Sequence, residues 1–225
     1  MAYRDKYNLE PLHIRAWLRT GVAADKYLPL DGILLYQAHR DQSGPQIVTI
    51  PGEYTQKGVC TLPLAITHFN KGNWYYRCSW AQWSHDVEGY DYWNKRFDSK
   101  FADMIDFKGR GKVQTGKGRY KAYHMPIFYR AALWIDWYCV GDQSEIEYLL
   151  STVTHIGKKA SQGWGRVIRW QIEPCAEDWS VWRDGQLMRG VPVEHIDEGQ
   201  PFKLMYYGIR PSYWKSSNQM PLAMP

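Results

Sequence analysis

Cysteine is scarce and scattered: four residues in 225 (Cys60, Cys78, Cys139 and Cys175), with no C-x-x-C pair. That spacing excludes a zinc ribbon or a thioredoxin-type redox motif and reads as reduced, mostly buried thiols. No run reaches the roughly eighteen apolar residues of a membrane span, and the first twenty residues lack the apolar stretch of a signal peptide, so a cytoplasmic protein that makes no membrane contact is expected. The seven histidines are isolated, without H-x-H, H-E-x-x-H or cysteine–histidine spacing, so neither a metal nor a cofactor is expected. Asp103 and Asp106 could share a helical face, but two nearby carboxylates are common by chance. No G-x-S-x-G elbow and no mononucleotide P-loop are present. Phenylalanine is also sparse, with six residues beside twelve tryptophans and seventeen tyrosines. Phenylalanine would fill a core equally well, so this excess of rings with polar handles points to half-buried positions at interfaces or on half-exposed sheet faces.

What is present is a localised positive charge. Residues 1–94 carry nine basic and nine acidic groups, whereas residues 95–131 carry ten basic and three acidic, a net +7. The remaining residues come to −2, so the whole excess sits in one segment. A concentrated patch implies a polyanionic partner more strongly than a diffuse excess does. A chain of this length, 44% apolar, suits one sizeable domain or one domain with a large insertion.

Periodicity supplies the elements. Leu12, Ile14, Ala16 and Leu18 alternate with His13, Arg15, Trp17 and Arg19, which predicts a strand. After Gly21, the segment 28–40 has helical spacing, with Asp31 near its start and the run from Asp41 ending it. Short strand-like pieces follow from Gln46, the clearest at 73–83, and then a polar, basic excursion at about 84–123 that ends in a ribbon. Residues 126–140 read as one apolar, central strand, 144–156 as a helix, and 167–174 as a last strand. The order strand–helix–strand–strand–helix–strand predicts an α+β, ferredoxin-like (RRM-like) domain over 1–175, with the basic hairpin inserted before its third strand. Residues 176–225 form a C-terminal extension that wraps the domain.

Two motifs carry chemistry. Gly157–Arg166 reads G-K-K-A-S-Q-G-W-G-R: Gly157, Gly163 and Gly165 permit close approach or positive φ, Lys158, Lys159 and Arg166 supply charge beside Trp164, and exposed amides could cradle a phosphate. The bland alternative is a tight turn with solvated lysines. In the basic segment, Lys108, Arg110 and Lys112 recur every second residue, and so do Lys117, Arg119 and Lys121. Extended arms would each present three cations on one side, and six phosphates so engaged predict a slope of log affinity against log salt of roughly −4 on a single strand. A solvated, disordered loop is the alternative. Tyr120, Lys121, Tyr123 and His124 are the best catalytic candidates, since a histidine base beside a lysine can cleave RNA without metal.

The segments LPLDGILLY, RYKAYHMP, GKKASQGWGRV and LMRGVPVE, with the closing YYGIRPSYWKSSNQMPLAMP, resemble the CRISPR-associated RAMP superfamily. The chain is most similar to the small backbone-capping subunit of type IV effectors, the counterpart of Cas5-like proteins. The resemblance implies a ferredoxin-like domain with a thumb-like hairpin that holds the 5′ handle of the CRISPR RNA without cleaving it. It implies contacts with an adjacent backbone (Cas7-like) subunit and with the large subunit, and a position near the flanking motif of target DNA. The family's glycine-rich loop falls on Gly157, Lys158, Lys159, Gly163, Gly165 and Arg166, and the thumb within 108–121. Relatives that process their own precursor RNA use a tyrosine–lysine–histidine set, which Lys121 and His124 with a nearby tyrosine resemble in part. Tyr213 and Trp214, after Pro211, are expected to anchor the tail on the domain or on a neighbouring subunit.

Overall fold

Strict alternation makes the first strand. In the computed structural model, which describes residues 7–43, 62–70, 72–85, 87–104, 113–197 and 200–225, β1 (Glu10–Leu18) turns Leu12, Ile14, Ala16 and Leu18 into the core, none more than 6% exposed. Next comes α1 (Leu30–Ser43), with Asp31 in its first turn, where the helix dipole favours a carboxylate. Then follow β2 (Ile66–Phe69), β3 (Asn73–Tyr76), β4 (Gln82–Trp83), β5 (Val87–Lys95), β6 (Tyr123–Ala131) and β7 (Trp134–Gly141). α2 (Gln143–Leu150) and β8 (Val167–Pro174) complete this part of the chain. The Asp142 side chain caps α2 by accepting from the Glu145 amide at 3.1 Å.

Four strands form one antiparallel sheet in the order β4–β7–β1–β8. Leu30 and Leu34 of α1, with Ile146 and Leu150 of α2, pack against Leu12, Ile14, Ile135 and Trp137 beneath it. The first sheet strand thus lies between the third and the fourth, as in a ferredoxin-like arrangement. β5 and β6 pair with each other over their whole length as a separate ribbon between the second and third sheet strands.

Three expected elements differ from those observed. Residues 73–83 divide: β3 pairs with β2, Arg77–Ser79 and Gln82–Trp83 each bond to β7 of the main sheet, and between them Trp80 and Ala81 bond to Met188 and Leu28. Residues 126–140 also divide, into β6 and β7. Between them the Leu133 carbonyl accepts from the Leu18 amide and the Ser84 hydroxyl accepts from the Leu133 amide, so the chain turns there. The second helix stops at Leu150, because Thr154 and His155 pair with the entry to β8.

The tail makes small sheets: β9 (Trp182–Arg183) with β10 (Gln186–Leu187), and β11 (Val191–Pro192), β12 (Lys203–Gly208) and β13 (Gln219–Met224) in the order β11–β13–β12. Ile209, Leu222 and Met224 share a second core with Phe69, Tyr75 and Trp80. Cys78, Cys139 and Cys175 are free thiols, and burial pushes the first two well above the ordinary thiol range; Cys60 lies outside the described residues. Among the described residues, no helix is long and apolar enough to cross a membrane.

Candidate nucleic-acid interface

The glycine-rich loop is stitched to the chain that leaves β1. Lys158 donates its amide to Ala23 at 2.7 Å, Gly165 to Gly21 at 2.8 Å, and Arg166 to the Thr20 hydroxyl at 3.0 Å. Thr20 in turn donates to the Gly163 carbonyl. Gly165 has φ +70°, and a Cβ there would sit 1.8 Å from the Ile156 carbonyl oxygen. This glycine is therefore required by the fold. Gly163 also has positive φ but faces open space. The amides of Lys158, Gln162, Gly163, Gly165 and Arg166 are all spent inside the protein, which removes most of the expected amide cradle. The exposed Lys158, Lys159 and Arg166 side chains are what the loop offers an anion. Gly165→Ala is expected to cost more than 2 kcal/mol, and Gly163→Ala only about 1 kcal/mol. Thermal denaturation of the two variants checks this, and equal shifts would contradict it.

The ribbon leans on this loop. Val22 and Arg130 exchange two backbone hydrogen bonds of 2.9 Å, which fixes the base of β6. The register puts Tyr129, Trp93 and Tyr123 on one ribbon face, and Tyr90, Phe128, Tyr92 and His124 on the other. On the first face the Trp164 ring lies 4.6 Å from Tyr129, and Lys159 Nζ lies 5.6 Å from the centre of Trp93. Further out, Lys121 and Lys95 approach Tyr123 at 5.3 and 5.8 Å. Rings and lysines thus share one track of about 20 Å, from the glycine loop to the ribbon tip.

The tip departs from the expected pair of alternating arms. Gly118–Tyr120 is a 3₁₀ turn, so Lys117, Arg119 and Lys121, although exposed, do not alternate along a strand. The glycines of this stretch favour a turn, and the extended partner of β6 is β5 instead. Lys108, Arg110, Lys112 and Asp106 lie outside the described residues.

The sheet face opposite the helices holds a constellation that no local motif marks. Arg15 makes a bidentate pair with Asp136 at 2.7 and 2.9 Å, and His13 reaches the same carboxylate at 2.8 Å. Burial alone would raise Asp136, but hydrogen bonds from His13 and Arg15 hold it below the ordinary carboxylate range. Trp17 and Trp134 stand 5.4 Å apart beside Arg15, and Arg169 approaches Trp17 at 5.0 Å. The outward half of the β1 alternation was the available signal. Its cross-strand partners lie more than a hundred residues away and carry no local mark.

A family model described as CRISPR type IV associated protein Csf3 matches residues 10–225. The chain belongs to this family. A search of curated proteins finds no match. Csf3 is a type IV CRISPR-associated RAMP protein, and the match spans the sheet, the glycine loop, the ribbon and the tail alike.

Within this Csf3-family chain the four catalytic candidates do not converge. Tyr123 and His124 are successive residues of β6 and leave on opposite faces. Lys121 sits with Tyr123, whereas the His124 ring stacks on Tyr92 at 4.5 Å and its Nδ1 meets Asn94 at 2.6 Å. Tyr120 packs on Phe97. Among the described residues, no group of histidine, cysteine, aspartate or glutamate is arranged to hold a metal. At the tail, the Tyr213 hydroxyl donates to Asp31 at 2.7 Å, while Trp214 is 59% exposed. The two neighbouring rings therefore separate, one tied to the domain and the other left facing outward.

Proposed function

We propose that this protein is the Cas5-like, non-catalytic subunit of a type IV CRISPR ribonucleoprotein, holding the 5′ handle of the CRISPR RNA and capping the backbone filament. The observation that carries the reading is the meeting of two regions remote in sequence. Lys159 over Trp93 and Trp164 against Tyr129 join the glycine loop to the ribbon. Lysines beside rings suit a sugar–phosphate chain with partly unstacked bases. Family membership supports the setting. The outer ribbon face, with Tyr90 63% and Phe128 62% exposed, is apolar surface of the kind an adjacent Cas7-like subunit or the large subunit would cover. Such an assembly works in the cytoplasm and meets target DNA near its flanking motif.

Copurification tests the reading. Full-length protein expressed with its CRISPR array should carry RNA of uniform length with one shared 5′ end. Binding of that RNA should weaken with salt, by a slope of about −0.7 per phosphate engaged. An assembly free of nucleic acid would instead make the chain a structural subunit. One discrete cut in EDTA that His124→Ala abolishes would make it a nuclease.

A further inference from the structure

We infer that the open face of the four-stranded sheet is a second contact for single-stranded RNA, where bases leaving the glycine loop stack on Trp17 and Trp134 beside Arg169. The inference rests on the RNA-binding reading and adds a site to it. The indole N–H of Trp17 donates to Gln171 at 3.1 Å, and that of Trp134 to Asp136 at 3.2 Å. With their polar edges satisfied inside the protein, the two rings are held in place and what they offer outward is π surface. Arg15, fixed by Asp136, packs over both rings, 5.3 Å from one centre and 4.9 Å from the other, and the rings touch each other at 5.4 Å.

Position and charge select the occupant. The tail covers the other end of the same face, where Trp179 and Arg183 lie against Tyr138, and it leaves Trp17 and Trp134 half-buried, each with part of its ring open to solvent. The Arg19 amide donates to the Arg166 carbonyl at 2.8 Å, so the glycine loop ends where the β1 rings begin. Arg19, Arg166 and Arg169 are exposed, and among the described residues the ion pairs engage none of them. Fixed rings flanked by unneutralised guanidinium groups suit a polyanion with flat, stackable groups better than a polypeptide surface.

The test uses the full chain and a short oligouridine carrying 5-iodouridine. Irradiation of the unaltered protein should crosslink this RNA to Trp17 or Trp134, as mapped by mass spectrometry, without relying on any variant to fold. Trp17→Leu with Trp134→Leu should weaken binding about tenfold or more. The salt slope should stay unchanged, because stacking releases no counterions. Arg169→Gln should lower the magnitude of that slope by about 0.7. Crosslinks confined to the ribbon and loop, with full affinity in a double variant of normal melting temperature, would overturn the sheet-face site and leave RNA binding standing. Absence of any binding or crosslink would overturn both. Shielding of the two tryptophans by a partner protein in an RNA-free assembly would assign the face to that protein instead.

Discussion

Leucine in place of Arg189 will loosen the C-terminal tail and lower the unfolding free energy by about 3–5 kcal/mol. Arg189 is fully buried, yet it makes no short ion pair among the described residues. Its guanidinium donates to the carbonyls of Tyr76, Cys78 and Ile209, the last two at 3.1 and 2.7 Å, and lies 4.6 Å from the centre of the Tyr75 ring. One side chain therefore binds β3, the segment after it, and the end of β12. Leucine would fill much of the space but supply no donors, and each buried acceptor left unpaired costs about 1–3 kcal/mol. Asp31 would suffer as well: burial already raises it, and the positive field of Arg189 is what offsets that burial most. At about 2–4 °C per kcal/mol for a chain of this size, the melting temperature should fall by roughly 10 °C. Lysine should recover only part of the loss, because a compact ammonium cannot span the same acceptors. A melting shift under about 3 °C for the leucine variant would mean that the carbonyls find other donors and that the tail does not depend on this residue.

Reversing Lys158 and Lys159 to glutamate should weaken handle-RNA binding on the order of a hundredfold, each lost charge-assisted contact accounting for about a factor of ten. Both side chains are exposed, so stability should change little. Lys159 already holds φ +64°, a conformation glutamate adopts at about the same cost as lysine. The variant also removes the cation beside Trp93, one of the two contacts that join loop and ribbon, and leaves Trp164 against Tyr129 in place. Two fewer phosphate contacts should reduce the magnitude of the salt slope by about 1.4. Unchanged affinity at both low and high salt, measured by filter binding with the folded variant, would remove the glycine loop from the RNA path.

How legible the site was depends on which residues are considered. The loop from Gly157 to Arg166 was visible because glycine and lysine at that spacing are conspicuous in any fold. Its internal use was not visible, since the clash at Gly165 arises from Ile156 folding back beneath it. A ribbon is present, but of the two arms expected for it 117–121 is a turn, 108–112 lies outside the described residues, and the paired strands are β5 and β6. Phe128 and Ile135 look alike in sequence, yet one is 62% exposed and the other fully buried. Apolar character marks a residue that can be buried; whether it is depends on what the rest of the chain brings against it. The Arg15–Asp136 pair and the rings beside it escaped notice for a related reason, since strand pairing across more than a hundred residues leaves no local pattern.

The core face of β1, the order of the sheet elements and the concentration of positive charge were all legible in the chain alone, because each follows from side-chain period or composition within a short window. That residues 126–140 serve two sheets, that the basic loop and the ribbon meet, and that Tyr213 turns inward while Trp214 does not were settled by long-range packing. Those outcomes depend on which distant backbone groups satisfy one another's hydrogen bonds, a competition settled across the whole chain and not within any one segment.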